Sequence, residues 1–333
     1  MYELLGICLF LATLILLNAC ASLAATLISR IFAPFAESLS ARTRADIFFM
    51  LRIAAPGFAT VAVVLFLIPS YVSYEPYGSS EIVSKKLVAL AFLSAVSVAF
   101  VLWRTIRSWT ATRTLQKQWL AAAERIHVHG IDIPVFRISH SFPIIAVIGT
   151  LRPKLFIADQ VLAALSKDEL AAAISHECGH LAARDNLKRT LLRICRDSLF
   201  LLPLGRAVDS AWAANAERAA DEFAARRSPA AALNLASALV RIAKLVPLGA
   251  RADVPLGAYL VGAEETHGVK ERIKRLIEIS SNCSPINEST RVMRFFPATV
   301  FCVIALVATA AATNAKVLLA VHALAEQTVR LLS

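Results

Sequence analysis

The sequence predicts a mainly α-helical membrane protein, with about four transmembrane helices and an inserted α+β domain. Three observations predict it. Hydrophobic residues make up 57% of the 333 residues and mean hydropathy is +0.62, more apolar than an ordinary soluble domain. The apolar residues are bunched: Leu4–Ile28, Ile53–Val72, Leu87–Trp103 and Phe295–Thr313 carry no charged side chain. Each run is close to the roughly 20 residues that cross about 30 Å of hydrocarbon. Between the third and fourth runs the texture changes, and short β-branched, alternating segments appear from Ile126 to Ile157. The alternative, four buried helices of a soluble protein, is disfavoured because core helices rarely lack charge over so long a run. A cleaved signal peptide is disfavoured for the first run: Met1-Tyr2-Glu3 has no basic residue, and the apolar stretch exceeds an h-region.

Charge orients the spans. The net charge of +11 suits nucleic acid or an anionic membrane surface, and its distribution favours the membrane. Arg30, Arg42, Arg44 and Arg52 flank the loop after the first span; Arg104, Arg107, Arg113 and Lys117 follow the third; Arg291 and Arg294 precede the fourth. In the loop between the second and third spans Glu75 and Glu81 offset Lys85 and Lys86. The positive-inside rule then places the first loop and residues 104–294 in the cytoplasm and both termini outside. No nucleic-acid partner is expected; the lipid bilayer is, with the bacterial inner membrane as the expected location. The six cysteines, at 8, 20, 178, 195, 283 and 302, form no CxxC pair, so reduced thiols and no cysteine metal site are expected.

Three regions follow: a three-helix membrane region over 1–103, a cytoplasmic domain over 104–294, and a fourth transmembrane helix with a short tail over 295–333. Pro56-Gly57 is a kink site in the second span. Tyr71, Tyr74, Tyr77 and Trp103 stand at span ends, where amphipathic rings prefer the interface. Residues 104–124 read as a helix leading out of the membrane. Ile144–Ile148 and Lys154–Ile157, separated by Gly149-Thr150-Leu151-Arg152-Pro153, read as a hairpin. Ser166-Lys167-Asp168-Glu169 has the form of a capping box and opens a helix through Leu181. Thr190–Leu202 is helical and strongly apolar, but Arg193, Arg196 and Asp197 argue against a fifth span; a buried or membrane-grazing helix ended by Pro203 is expected. Asp209–Arg226, Ala230–Leu245 and Lys270–Ile279 are further helices.

The capped helix carries His176-Glu177-Cys178-Gly179-His180. Residues four apart on a helix share a face, so both imidazoles enter one pocket with Glu177 on its flank. Two such nitrogens can hold Zn²⁺, and the carboxylate can take a proton from water as it attacks a peptide carbonyl. The alternative is an exposed helix with two ordinary histidines. The apolar surroundings, Leu170 to Ile174 and Leu181, bury this helix, and buried polar groups need partners. Cys178 lies opposite His176 and is a packing residue. A third ligand is expected from Glu217, with Asp221 one turn later accepting a hydrogen bond from a ligand imidazole; the alternative is a pair of surface charges on an Ala-rich helix. Glu222 falls on another, solvated face. Asp185, five residues after His180, turns away from the metal face and is assigned a structural role. His127, His129, His140 and His322 lack ligand spacing.

Ile174-Ser175-His176-Glu177-Cys178-Gly179-His180-Leu181-Ala182-Ala183-Arg184-Asp185-Asn186-Leu187, then Pro203-Leu204, then Glu217-x-x-Ala220-Asp221-Glu222, resembles the BlaR/MecR-type integral-membrane metallopeptidases, closely over 143–226 and loosely over the whole chain. The resemblance implies a zincin-like (gluzincin) metallopeptidase domain facing the cytoplasm, with His176, His180 and Glu217 as zinc ligands and Glu177 as base. The best-known members carry an extracellular penicillin-binding sensor after the last span; this chain ends at Ser333 and is expected to lack it. The segment Thr266-His267 followed by Glu271-Arg272-Ile273 is similar to one in the related CAAX-prenyl-protease and HtpX-like membrane peptidases, which implies His267 and Arg272 as oxyanion support; a loop histidine and a surface arginine are the alternative. The expected function is a membrane-anchored zinc endopeptidase acting on protein or peptide substrates, in a regulatory, signal-transducing role or in quality control and processing. A non-catalytic membrane receptor is the expectation from another class. The oligomeric state is left open.

Overall fold

The protein is described here by a computed structural model covering residues 2–76, 83–128, 133–246, 266–281 and 306–332. Among the described residues three helices are long and apolar enough to cross a membrane: α1 (Tyr2–Phe32), a continuous segment Ala41–Tyr74, and α4 (Lys85–Ala121). The segment Ala41–Tyr74 consists of α2 (Ala41–Val61), one π-helical stretch over Ala62–Leu67, and α3 (Ile68–Tyr74). Pro56 does not interrupt α2. The irregularity instead falls just before Pro69, which has no N–H for the carbonyl of Leu65 and a ring that crowds it. The wider π-turn absorbs both demands.

The spans meet through small and polar residues, which let apolar helices approach closely. Asn18, Ser22, Ser29, Ser94 and Ser97 are buried while Phe92, Leu102 and Trp103 point outward. Ser40 caps α2 by accepting from the Thr43 N–H, and Ser84 caps α4 through the Leu87 N–H. Helix α4 does not stop at the end of the third apolar run. Its 37 residues extend about 55 Å at 1.5 Å per residue, so the apolar run and its continuation beyond Trp103 are one rod. The far end of that rod meets a small sheet: Gln116 donates to the Ile148 carbonyl at 2.8 Å and the Trp119 ring packs edge-on to Phe156.

The sheet has four strands in the order β1 (Glu124–Ile126), β2 (Val135–Ile138), β4 (Lys154–Ala158), β3 (Ile145–Ile148). β3 and β4 are an antiparallel hairpin with Ile145 opposite Ile157, and β2 runs parallel to β4. Short α5 (Asp159–Ala164) leads to α6 (Lys167–Ala182), whose start is the expected capping box: the Glu169 N–H donates to Ser166 Oγ, and the Ser166 N–H to Glu169 Oε2. α7 (Asp185–Asp197), α8 (Arg206–Ala225), α9 (Pro229–Leu245) and α10 (Thr266–Ser281) complete the domain. One apolar core joins the sheet, α5, α6 and α9, with Ile144, Leu155, Phe156, Ile174, Leu235 and Leu239 fully buried. A second joins α2 to α7 and α8 through Phe48, Phe49, Leu192, Val208 and Trp212. The second candidate span thus shares a core with α7 and α8.

The expected fourth run, Phe295–Thr313, lies outside the described residues up to 305. Its last part forms α11 (Leu306–Ala312), bent by 81° from α12 (Ala315–Leu332). The end read as a short tail therefore holds an 18-residue helix. α12 packs on the C-terminal half of the second candidate span: Ser70 Oγ donates to the Leu318 carbonyl at 2.7 Å, and Val321, Ala325 and Val329 meet Val63, Leu67 and Tyr71.

Candidate active site

Helix α6 brings His176 and His180 to one face, and α8 crosses it to deliver Glu217 and Asp221. Gly179 makes that crossing close. A Cβ at this position would stand 3.0 Å from the Ala220 Cα and 3.2 Å from the Phe223 Cβ, so any larger residue pushes α8 away. Gly179→Ala is therefore expected to cut zinc affinity at least tenfold while the protein still inserts and folds, read by chelator competition on the purified chain.

The geometry at the crossing is that of a metal site. His176 Nε2 and His180 Nε2 are 3.2 Å apart. Glu217 Oε2 is 3.5 Å from His176 Nε2, and Glu217 Oε1 is 3.5 Å from His180 Nε2. Zinc bonds of about 2.0–2.1 Å in a tetrahedron require ligand atoms about 3.4 Å apart. Glu217 Oε2 is buried and makes no hydrogen bond, with His176 Nε2 at 3.5 Å and the Arg272 guanidinium at 3.3 Å as its positively charged or ring-nitrogen neighbours. These three residues fit the ion, and among the described residues they are the one cluster of its kind.

The other nitrogen of each imidazole is also held. His176 Nδ1 lies 2.9 Å from Asp221 Oδ1. His180 Nδ1 lies 2.7 Å from Asp185 Oδ2, which corrects the reading of Asp185 as turned away. That reading extended the helix beyond its end. α6 stops at Ala182, Arg184 takes a left-handed conformation with φ 54°, and the chain folds back so that Asp185 faces the ligand. Carboxylates so placed fix the imidazole tautomer and orientation.

Three arginines surround the carboxylates. Arg189 donates to Glu217 Oε1 at 3.1 Å. Arg272 grips Asp221 with two bonds, Nε to Oδ2 at 3.0 Å and Nη2 to Oδ1 at 2.7 Å, and its Nη1 is 3.3 Å from Glu217 Oε2. Its fork is committed to two carboxylates, so this geometry braces Asp221 and Glu217. Arg42 of the second span reaches the third carboxylate, with Nη1 3.9 Å from Asp185 Oδ1 and Nη2 donating to the Ala183 carbonyl at 3.4 Å. Asp46, one turn on, pairs with Arg42 at 3.3 Å and with Lys188 of α7. His267 falls in the first turn of α10, and its side chain lies outside the described residues. Glu222 is buried and paired with Arg275 rather than solvated.

Protonation follows from these contacts. Burial pushes the Glu177 carboxyl up, against the pull of His180 and His176. Burial also works against charge on Glu217, but His180, His176 and Arg272 outweigh it and hold that carboxyl well below its usual range. Burial opposes protonation of His180, yet Glu217 and Asp185 outweigh it and raise its pKa to about 10. Burial similarly opposes charge on Asp221, and Arg272 with His176 lowers its pKa.

Glu177 and His180 line an open cleft of roughly 400 Å³ together with Val147, Gly149, Leu151 and Asn186. β3, the edge strand beside it, is covered. All four β3 residues are buried, and the Asn186 amide donates to the Val147 carbonyl at 3.0 Å and to the Gly149 carbonyl at 3.2 Å. The exposed wall of the cleft is the 149–153 turn, where Leu151 is 86% exposed.

Comparison with known families bears on the same region. Residues 110–212 match the model of Peptidase family M48. The matched stretch runs from the end of α4 through the sheet and the motif helix into α8. It supports a metallopeptidase of that family, whose members generally use zinc. No curated protein matches the chain.

Proposed function

We propose that this protein is a membrane-anchored, zinc-dependent endopeptidase of the BlaR/MecR type, whose peptidase domain (104–294) lies between the third span and a fourth and faces the cytoplasm. The single observation that carries the reading is the spacing of His176, His180 and Glu217, at 3.2 to 3.5 Å, beside a buried glutamate in an open cleft. His176, His180 and Glu217 would hold the ion. Bound zinc supplies Lewis-acid polarisation and a lowered pKa for water. Glu177 takes the proton from the attacking water and passes it to the leaving amine, a role its raised pKa favours. Asp221 and Asp185 keep the two imidazoles in the tautomer that presents Nε2. Arg272 and Arg189 hold Glu217 in place. Peptide enters along the 149–153 turn.

A regulatory role is supported by the second span. Its cytoplasmic end reaches Asp185 through Arg42, while its outer end is bonded to α12. A protein substrate is expected, and it is found by comparing new N-termini in membranes of cells that make the wild type or Glu177→Gln. Identical N-terminal profiles would count against a peptidase. Orientation is tested separately. A reporter fused near Ser79 is expected to read as external and one near Gln118 as cytoplasmic, from the Lys/Arg asymmetry. The opposite pattern overturns the orientation.

A further inference from the structure

The end of α7 and the α7–α8 connection after it run antiparallel to α4. Arg193 meets Ser108, Asp197 meets Arg104 at 2.9 Å, and Phe200 meets Phe100 with ring centroids 4.9 Å apart. Arg104 marks the cytoplasmic end of the third apolar run, so the residues directly after Asp197, as far as Phe200 beside Phe100, lie deeper than that end. Directly after Asp197, Ser198 Oγ accepts from Asn18 of the first span at 3.0 Å. The same two residues line one cavity with Ser94, Ser97 and Val101. Ser97 is seven positions inside Arg104, about 10 Å along a helix, against about 15 Å for half of the hydrocarbon.

The return leg is marked as clearly. Arg52, one residue before the second apolar run, is 1% exposed, bonds Asp209 at 3.1 Å and donates to the Leu204 carbonyl at 3.5 Å. Two arginines at span ends thus bracket the loop on its way in and out. Between them stand Leu199, Phe200, Leu201, Leu202, Pro203 and Leu204. The protein leaves four of these uncovered: Phe200 is 38% exposed, Leu201 61% and Leu202 47%, and Pro203 is exposed beside them. They continue the outward apolar surface of α4. The one charge inside the bracket, Arg206, is exposed in the first turn of α8 and is long enough to reach headgroups. The basic and acidic residues of Thr190–Leu202, which argue against a fifth span, stay at the level of Arg104 and Ser108.

We propose that residues 198–204 form a re-entrant wedge in the hydrocarbon of the leaflet on the peptidase side, with Phe200, Leu201 and Leu202 against lipid acyl chains. The inference rests on reading the long apolar helices as spans and is independent of the metal site. Leu201→Cys, Val98→Cys and Arg227→Cys in the full chain, in native membranes, are treated with N-ethylmaleimide, which reacts with water-exposed thiolate. Thiols left unblocked are counted by mass-shifting maleimide in SDS. Leu201→Cys is expected to react at least tenfold more slowly than Arg227→Cys, as Val98→Cys does. Equal rates at 201 and 227 overturn the wedge; equal rates at 98 and 227 overturn the span reading instead. Protection by another protein is separated from protection by lipid by photolysis with a phosphatidylcholine carrying an acyl-chain diazirine. A lipid adduct on the peptide containing 198–204 is expected. An adduct confined to the spans overturns the proposal.

Discussion

Glu177→Gln is expected to leave zinc content and membrane insertion unchanged and to reduce peptide hydrolysis by roughly 10²–10⁴-fold, the usual worth of general-base catalysis. The amide keeps the size of the carboxylate, and both imidazoles stay in place, but it cannot take a proton. Glu177 is buried at 6% exposure in the wall of the cleft, on the helix that supplies two ligands. Burial raises its pKa, which makes it a better proton acceptor than a solvated glutamate and sets the sign of the pH effect. Activity falls as pH drops through the raised value, because the base is then already protonated. The measurement is cleavage of a protein substrate by zinc-loaded wild type and mutant in detergent, at matched metal content. Equal rates would remove the base from the mechanism. A loss that only tracks a loss of zinc or of thermal stability would give Glu177 a structural role.

Much of this site was legible in the sequence, for reasons that name its limits. The spacing of His176 and His180 fixes their shared face once the segment is a helix, and the Ser166–Glu169 box with apolar neighbours makes it one. Glu217 and Asp221 were legible because they too are one turn apart on a helix, so choosing one as ligand placed the other near an imidazole. Asp185 was missed because wheel geometry holds only within a helix, and the break at Arg184 is set by a backbone conformation that no pattern of side chains announced. Arg42 was read only as a charge marking the membrane end. Its contact with Asp185 spans 143 positions of sequence, and depends on how the second span packs against α7. The same holds for the edge strand. A short β-prone run finds β3, but that the Asn186 amide donates to the Val147 and Gly149 carbonyls is a tertiary fact. Arg193, Arg196 and Asp197 argue against a fifth span by composition, but that Arg193 and Asp197 pair with Ser108 and Arg104 of α4 is a tertiary fact that composition does not carry.

The metal site makes the remaining prediction. The wild type is expected to bind a single Zn²⁺ per chain, and His176→Ala, His180→Ala and Glu217→Ala are each expected to lose it on purification, since each removes one of three protein bonds. Asp221→Ala and Asp185→Ala should keep the ligands and weaken zinc binding by about 10–100-fold, as loss of a hydrogen bond behind a ligand does. Asp185 is the informative case, because it also occupies the first turn of α7, where a negative charge is favourable by itself. If it acts only there, Asp185→Ala lowers the thermal stability of the zinc-free protein and leaves zinc affinity alone. If it orients His180, affinity falls and its pH dependence changes. With pKa raised to about 10 by Glu217 and Asp185 against the cost of burial, His180 carries a proton in the zinc-free protein at neutral pH. That proton must leave when zinc binds, so apparent affinity rises by about tenfold per pH unit up to that value. Removing Asp185 takes away one of the groups that hold the proton, and the rise should end at lower pH. Zinc titrations of wild type and Asp185→Ala across neutral to alkaline pH separate the two roles, and superimposable curves would return Asp185 to the helix terminus.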